Sequence, residues 1–182
     1  KKKATTFESV DMNTVAQEVI ALTLNELRRS NVNLRLDLVE DLPAAIGDRV
    51  QLQQVILNLI LNAAEAMLEI GERDKELTVI TERMGDNQVR LAVKDVGMGF
   101  DPATVERLFN PFYTTKSNGM GIGLSVSRTI IENHQGQLGA ALNDGPGATF
   151  WFSVPCRPEG DQDDSGFNPF GATRMARAMG KA

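Results

Sequence analysis

The sequence has very few of the residues that form disulfides, zinc clusters or membrane spans. Among 182 residues there is one cysteine, Cys156, and one histidine, His134, so neither an internal disulfide nor a cluster of thiolate and imidazole ligands can form. The longest stretch without a charged residue, 50–64, contains five Gln and Asn side chains and is too short to cross a bilayer. The N-terminus has no signal-peptide pattern. These absences predict a protein of the reducing cytoplasm.

The charge balance is mildly acidic. Lys and Arg number 19 and Asp and Glu 24, a net charge of −5 that argues against binding to nucleic acid or to an anionic membrane. Hydrophobic residues at 42% and charged residues at 24% are typical of a soluble globular domain. We expect one domain over 1–155 and a linker or disordered tail over 156–182, which is first acidic and then rich in Gly, Ala, Arg and Met. Because the first residue is Lys1, we also expect a piece of a longer protein.

Hydrophobic periodicity predicts the secondary structure. Helical spacing predicts helices over 11–29, 48–69, 102–108 and 122–134, with Asp11 or Asn13 and Asp101 as N-caps and His134 as a C-cap. Alternating apolar residues bounded by turn clusters predict strands over 33–39, 77–83, 88–94, 137–142 and 148–154. Hairpin-like pairs favour an α+β fold class: a two-layer sandwich with a mixed, mostly antiparallel five-stranded sheet and helices on one face.

A short glycine motif, Asp95-Val96-Gly97-Met98-Gly99, directly follows a predicted strand. Glycines let the backbone approach a ligand closely, and a carboxylate at a strand end can accept a hydrogen bond from an amino group such as that of adenine. The alternative is a tight turn that leads into the next helix, because short glycine motifs have a high false-positive rate.

A second glycine segment, Gly119-Met120-Gly121-Ile122-Gly123-Leu124, precedes a predicted helix. Free backbone N–H groups and the positive end of the helix dipole can hold phosphates there. The segment is neither a dinucleotide fingerprint, which follows a strand, nor a P-loop, which ends in Lys-Ser or Lys-Thr. A flexible hinge is the alternative interpretation.

Polar side chains form one stripe along the predicted helix 48–69. The residues at spacings of three or four are Gln51, Gln54, Asn58, Asn62, Glu65 and Glu69. A solvated outer face explains the glutamines and Glu69. Two Asn one turn apart, in a helix rich in Leu and Ile, instead indicate a pocket where an amide oxygen can join the oxygen shell of Mg²⁺.

The segment Phe109-Asn110-Pro111-Phe112-Tyr113-Thr114-Thr115-Lys116 places aromatic side chains, hydroxyls and a cation in an irregular loop. Such a loop is typical of a lid or a partner contact. The alternative is that the Phe side chains only hold the loop on the core.

Taken together and in this order, these segments resemble the catalytic, ATP-binding domain of bacterial sensor histidine kinases, a branch of the family shared with gyrase B, chaperone and mismatch-repair ATPases. The matching segments are 58–65, 95–99, 109–116, 119–124 and 145–150, and the resemblance spans about residues 10–155. It implies the Bergerat-type ATP-binding fold of that family, with ATP and Mg²⁺ as cofactors.

The resemblance implies a role for each segment. Asn62 corresponds to the Mg²⁺ ligand, Asn58 lies near the phosphates, and Asp95 reads the adenine amino group. The implied nucleotide-binding residues are Asn58, Asn62, Glu65, Asp95, Gly97, Gly99, Phe109, Thr114, Thr115, Lys116, Gly119, Gly121, Ile122, Gly123, Leu124 and Thr149. Asn58 and Lys116 are the implied catalytic residues. Many relatives carry Lys or Arg at the position of Glu65, so Lys116 is expected to be the main cation for the phosphates.

The resemblance implies half of an autokinase, which transfers the γ-phosphoryl group of ATP to a histidine on a separate dimerisation hairpin in two-component signalling. A response regulator receiver domain is the implied second partner. The His-Glu pair that marks such a hairpin is absent from this sequence, so the hairpin is expected to precede Lys1 and this fragment to be a monomer. Two alternatives stay open: an ATP-hydrolysing clamp, whose relatives carry Glu at the position of Asn58, and a nucleotide-sensing regulatory module.

Overall fold

The computed structural model describes residues 7–114 and 121–157. The strands are β1 Glu8–Val10, β2 Val32–Leu38, β3 Ala45–Gly47, β4 Lys75–Met84, β5 Gln88–Asp95, β6 Gln137–Leu142 and β7 Ala148–Pro155. The α-helices are α1 Met12–Arg29, α2 Arg49–Ala66 and α3 Gly123–Asn133, and a 3-10 helix spans Pro102–Phe109.

Five strands form one mixed sheet in the order β2-β4-β5-β7-β6. The β2 and β4 strands are parallel, and every other neighbouring pair is antiparallel. The predicted α+β fold with a mostly antiparallel five-stranded sheet is therefore confirmed. A separate ribbon of β1 and β3 was not predicted, since three residues are too few to show a period. Ala45 of this ribbon also bridges Cys156, just after β7.

The helices cover one face of the sheet and bury the core between the two layers. Leu77 and Val79 of β4, Leu91 and Val93 of β5, and Phe152 of β7 are buried in one cluster with the apolar residues of α1 and α2. Within β4 and β5 these apolar residues are two positions apart, as the period of a half-buried strand requires. No helix within the described ranges is both long and apolar enough to cross a membrane.

Two aspartates start the long helices. The side chain of Asp11 accepts a hydrogen bond from the backbone N–H of Thr14, which confirms it as the cap of α1. Asp48 accepts from Val50 and Gln51 at the start of α2. The α2 helix ends at Ala66, three residues before the predicted end, and the carbonyl of Ala66 accepts a hydrogen bond from the backbone N–H of Met98. The loop after β5 thus bonds to the C-terminal end of α2.

His134 joins the end of α3 to the start of α2. It is the C-cap of α3, as predicted, and its side chain is buried. The Nδ1 atom donates to the carbonyl of Ile130 (2.7 Å), and Nε2 accepts from the backbone N–H of Asp48 (3.0 Å). Both ring nitrogens are therefore engaged in structure, and the two helices that border the candidate site are fixed to each other.

Candidate functional site

The carboxylate of Asp95 lies buried at the end of the central strand β5. Its Oδ1 accepts hydrogen bonds from the backbone N–H groups of Gly97 (2.8 Å) and Ala148 (3.3 Å). Burial raises the pKa of Asp95 above its ordinary value, and the bonds from Gly97 and Ala148 oppose that rise. Because both bonds go to Oδ1, the second oxygen is the acceptor that this arrangement offers to a ligand amino group.

Asn143 fixes the strand end that carries Asp95, although sequence reasoning missed it. Its Nδ2 donates to the carbonyl oxygens of Asp95 (2.8 Å) and Pro146 (3.0 Å). The hydroxyl of Thr149 donates to Oδ1 of Asn143 (2.7 Å). Thr149, a predicted nucleotide contact, thus orients Asn143 in this structure. An Asn directly before a Gly and Pro turn cluster was the available signal, because Asn side chains commonly bond to nearby backbone in turns.

Gly97 and Gly99 bring the loop after β5 against its neighbours. A Cβ at Gly97 would lie 2.5 Å from the carbonyl oxygen of Ala66, so only glycine permits the loop to approach the end of α2. Gly99 faces the Leu142 side chain and the carbonyl of Gly147. The Asp95 loop and the C-terminal half of α2, which carries Asn58 and Asn62, therefore lie side by side.

The N-cap of α3, Ile122, makes no side-chain hydrogen bond to the first turn, so its side chain leaves the backbone N–H groups of that turn uncapped. A Cβ at Gly123 would lie 2.3 Å from Oδ1 of Asn58, and Nδ2 of Asn58 donates to the Ser127 hydroxyl (3.0 Å). The buried Ser127 was not predicted as a site residue. Its position four residues after Gly123, on the same face of the helix, was the available signal. Leu124 packs on the core.

Asn62 lies one turn beyond Asn58 on α2 and is half-buried. Glu65, the next residue of the polar stripe, is exposed and also lines a groove between α1 and α2. No group of three or more His, Cys, Asp and Glu within 7–114 and 121–157 could hold a metal ion. A metal at this site would therefore depend on an amide oxygen such as that of Asn62 together with oxygens of the ligand.

The two ends of the irregular loop meet at its base. Phe109 is buried against Phe150, with ring centroids 6.5 Å apart, whereas Phe112 is 77% exposed. The backbone N–H of Phe112 donates to the carbonyl of Gly121 (2.8 Å), and both residues have positive φ, +65° in each. Phe109 thus holds the loop on the core and Phe112 faces outward. Thr114 and Ile122 are exposed. The predicted residues Thr115, Lys116 and Gly119 lie outside the described residues.

The arrangement has two ends of different chemistry. A buried acceptor at Asp95 suits an amino group on a planar base. The start of α3 beside Asn58 suits an anion, because the positive end of the helix dipole and the N–H groups of the first turn are at that end. The asparagines of α2 lie on the helix that contacts both ends.

The chain matches the family model described as histidine kinase-, DNA gyrase B- and HSP90-like ATPase over residues 47–158. It is 42% identical to the sensor protein FixL of Bradyrhizobium diazoefficiens, over 81% of this chain and 29% of that protein. The catalytic domain of the histidine kinase ThkA, in a nucleotide-free form, superposes with a TM-score of 0.74 at 30% identity, covering 84% of this chain and 99% of that one.

A second structure of ThkA, in complex with the response regulator protein TrrA, superposes with a TM-score of 0.72 at 29% identity, over 86% of this chain and 43% of that one. The chain spans less than a third of the curated relatives FixL, sporulation kinase E of Bacillus subtilis and AtoS of Escherichia coli. The family match covers all of α2, the Asp95 loop and α3. The chain therefore belongs to the histidine kinase-, DNA gyrase B- and HSP90-like ATPase family, as a catalytic ATP-binding domain of the sensor histidine kinase type.

Proposed function

We propose that this domain binds Mg-ATP and donates the γ-phosphoryl group to a histidine on a separate dimerisation hairpin in two-component signalling. The observation that carries this proposal is the buried carboxylate of Asp95, held by two backbone N–H groups. Its loop contacts the end of α2, and Asn58 of α2 bonds to the first turns of α3, whose N-cap gives no side-chain cap. A base at the first position and phosphates at the second would place the nucleotide along α2.

The transfer needs little covalent chemistry from the protein. A nitrogen of the acceptor imidazole attacks the γ-phosphorus, the bond to the β,γ-bridging oxygen breaks, and ADP leaves with that electron pair. Positioning and charge stabilisation therefore dominate catalysis. Asn58, oriented by Ser127, and the backbone N–H groups of α3 would hold the phosphates. Asn62 would hold Mg²⁺, which when bound neutralises phosphate charge, and Lys116 remains the predicted phosphate cation.

The residue at position 58 favours transfer over hydrolysis. A hydrolase of this superfamily needs a carboxylate here to take a proton from water, and an amide cannot accept a proton near neutral pH. Nδ2 of Asn58 donates one hydrogen to Ser127, and its second hydrogen is the one that would reach a phosphate oxygen. The hydrolysing clamp and the purely nucleotide-sensing module remain second candidates that direct assays separate from a kinase.

The partners follow from the same proposal. We propose the histidine hairpin as the phosphoryl acceptor and a response regulator receiver domain as the next acceptor, consistent with the complex of ThkA with TrrA. The sequence features described above also support a cytoplasmic location for this domain and a monomeric fragment.

Calorimetric titration with a non-hydrolysable ATP analogue, with and without Mg²⁺ and against GTP, tests binding. We expect micromolar, adenine-selective affinity that depends on Mg²⁺. The chain is then incubated with γ-labelled ATP and a purified histidine hairpin of the sensor-kinase type. Acid-labile label on the hairpin supports the kinase. Release of inorganic phosphate without labelled hairpin would instead support the clamp, and binding without either reaction would support the sensing module.

Replacement of Asn62 by Ala is expected to remove most of the Mg²⁺ dependence of binding. The amide oxygen is the metal ligand that this position offers, and its loss should weaken ATP affinity in Mg²⁺ by about tenfold or more, which corresponds to roughly 1.4 kcal/mol. Without Mg²⁺ the variant and wild type should bind similarly. Titrations in Mg²⁺ and in chelator measure this difference.

Asn25→Ala is the matched control, because it makes the same change on an exposed position of a different helix. Its affinity should equal that of wild type under both conditions. An unchanged Mg²⁺ dependence in Asn62→Ala would assign the metal to another residue.

A further inference from the structure

Thr149 lies on the opposite face of the sheet from the carboxylate of Asp95. Phe150 packs on the core between the sheet and the helices, as does Val93, its partner in β5. Successive side chains of a strand extend to opposite faces. Asp95, two positions after Val93, therefore extends towards the helices, whereas Thr149 extends away from them. A nucleotide along α2 would lie on the helix side, so the hydroxyl of Thr149 is badly placed to contact it.

The hydrogen bonds around Asn143 determine how its amide group is oriented. Nδ2 donates to the carbonyl oxygens of Asp95 (2.8 Å) and Pro146 (3.0 Å). A carbonyl oxygen can only accept, so the NH₂ group must lie on this side, and both of its hydrogens are used. Oδ1 of Asn143 then faces the hydroxyl of Thr149 (2.7 Å), which must donate its hydrogen. The hydroxyl hydrogen of Thr149 thus serves to hold the asparagine.

Asn143 ties the end of β5 to the turn between β6 and β7. Its side chain binds the carbonyl of Asp95 in β5 and that of Pro146 in the turn. Its backbone N–H donates to the carbonyl of Gly147 (3.2 Å). The next residue, Ala148, donates its backbone N–H to Oδ1 of Asp95. The turn that Asn143 holds therefore supplies one of the two hydrogen bonds that orient the carboxylate.

We propose that Thr149 and Asn143 are positioning residues, which hold the carboxylate of Asp95 in the orientation that reads the base and act from the face of the sheet opposite the nucleotide. Thr149 itself makes no contact with the nucleotide, in place of the contact that the family resemblance implies for it. This role rests on the proposed function, since the base is that of the bound ATP. Without the Thr149 hydroxyl, Oδ1 of Asn143 loses its donor, the amide is free to turn, and its bonds to both carbonyls weaken.

Titration of the Asp95 carboxyl group, followed by NMR of its carboxyl carbon, tests this positioning without any nucleotide. Burial raises the pKa of Asp95, and the bond from Ala148 is one of those that oppose the rise. Thr149→Val removes the hydroxyl but keeps the size of the side chain, so it should raise the pKa of Asp95 further, and Thr149→Ser should restore it. Thr78→Val is the matched control, because Thr78 pairs with the other side of Lys94 on the same face of the sheet. An unchanged Asp95 titration in Thr149→Val, or an equal change in the control, would overturn the proposal.

Calorimetric titration with a non-hydrolysable ATP analogue separates positioning from direct contact. At a temperature where every variant is folded, Thr149→Val should raise the dissociation constant by about fivefold, and Asn143→Ala, which removes two donors, by about tenfold. The double variant should match Asn143→Ala alone, because Thr149 then has no asparagine to hold.

Rises that multiply in the double variant would mean that Thr149 contacts the nucleotide directly, and would overturn this proposal while leaving the proposed function in place. A wild type that binds no ATP would overturn both. The expected pattern, a raised pKa of Asp95 together with rises that do not multiply, would support positioning through Asn143.

Discussion

Replacement of Asp95 by Asn is expected to abolish tight ATP binding while leaving the domain at least as stable as the wild type. The amide oxygen of Asn can still accept the bonds from Gly97 and Ala148, so the amide NH₂ group would occupy the position of the second carboxylate oxygen. That NH₂ group would face the amino group of adenine, donor against donor. Buried unpaired donors cost about 1–3 kcal/mol each, so two of them should raise the dissociation constant for ATP by at least about 30-fold.

The stability of this variant follows from the burial of the carboxylate. Because burial raises the pKa of Asp95, the folded domain binds the proton more readily than the unfolded chain does. The charged side chain therefore costs stability at neutral pH. This cost decreases as the pH falls below the raised pKa of the folded state and is gone below the ordinary pKa of the unfolded chain. The gain in the free energy of unfolding of Asp95→Asn over the wild type should be largest near pH 7 and should decrease as the pH is lowered. Denaturant unfolding at several pH values measures the difference.

Base selectivity gives a further result that general damage to the site would not produce. Guanine presents an acceptor, O6, where adenine presents its amino group, so the amide NH₂ of the variant should narrow the preference for ATP over GTP. Asp101→Asn is the matched control, since Asn still caps the 3-10 helix at this exposed position and should leave both affinities unchanged. Near-native ATP affinity in Asp95→Asn would remove Asp95 from the site.

The sequence predicted the sheet and helices well because their periods extend over many residues. Each strand of the main sheet and each α-helix was expected within a few residues of its observed bounds. The β1 and β3 ribbon was missed because it forms only when residues 8–10 and 45–47, far apart in sequence, meet in the fold. The end of α2 was misjudged for a related reason: the continuing apolar pattern gives no sign that Met98 donates to Ala66 at the observed end.

The candidate site was predictable where a residue type carries its own chemistry and not where it acts through another residue. Asp95 and Asn58 stood out because an isolated carboxylate among glycines and an Asn in an apolar helix need an explanation. Asn143 and Ser127 had only weak sequence signals, a turn position and a helical spacing, and their roles depend on the fold that places them against Asp95 and Asn58. Phe109 is buried and Phe112 is exposed. This difference in burial depends on how the loop lies on the sheet, which hydrophobic periodicity does not determine.

Replacement of Gly147 by Ala is expected to destabilise the domain strongly and to weaken ATP binding as well. The φ angle of Gly147 is +88°, and a Cβ there would lie 2.2 Å from the carbonyl oxygen of Asp95 and 2.7 Å from Cα of Val96. Both are backbone atoms, which cannot rotate away as a side chain can. Backbone strain alone costs about 1–3 kcal/mol, which corresponds to a fall in melting temperature of roughly 4–8 °C for a loss near ~2 kcal/mol. Thermal unfolding measures this loss.

Gly145→Ala is the control that makes the prediction specific, because it changes the same residue type two positions earlier in the same turn. A Cβ at Gly145 would meet no described atom within 4 Å, so the variant should stay within about 0.5 kcal/mol of wild type. In Gly147→Ala the displaced strand end would also move the backbone N–H of Ala148, which donates to Oδ1 of Asp95. The affinity of this variant for ATP should therefore be lower than that of the wild type, even at temperatures where both proteins are folded. Equal melting temperatures and ATP affinities in the two variants would contradict this prediction. They would mean that the turn as a whole, and not the contact of Gly147 with the backbone of Asp95, determines the shape of the site around Asp95.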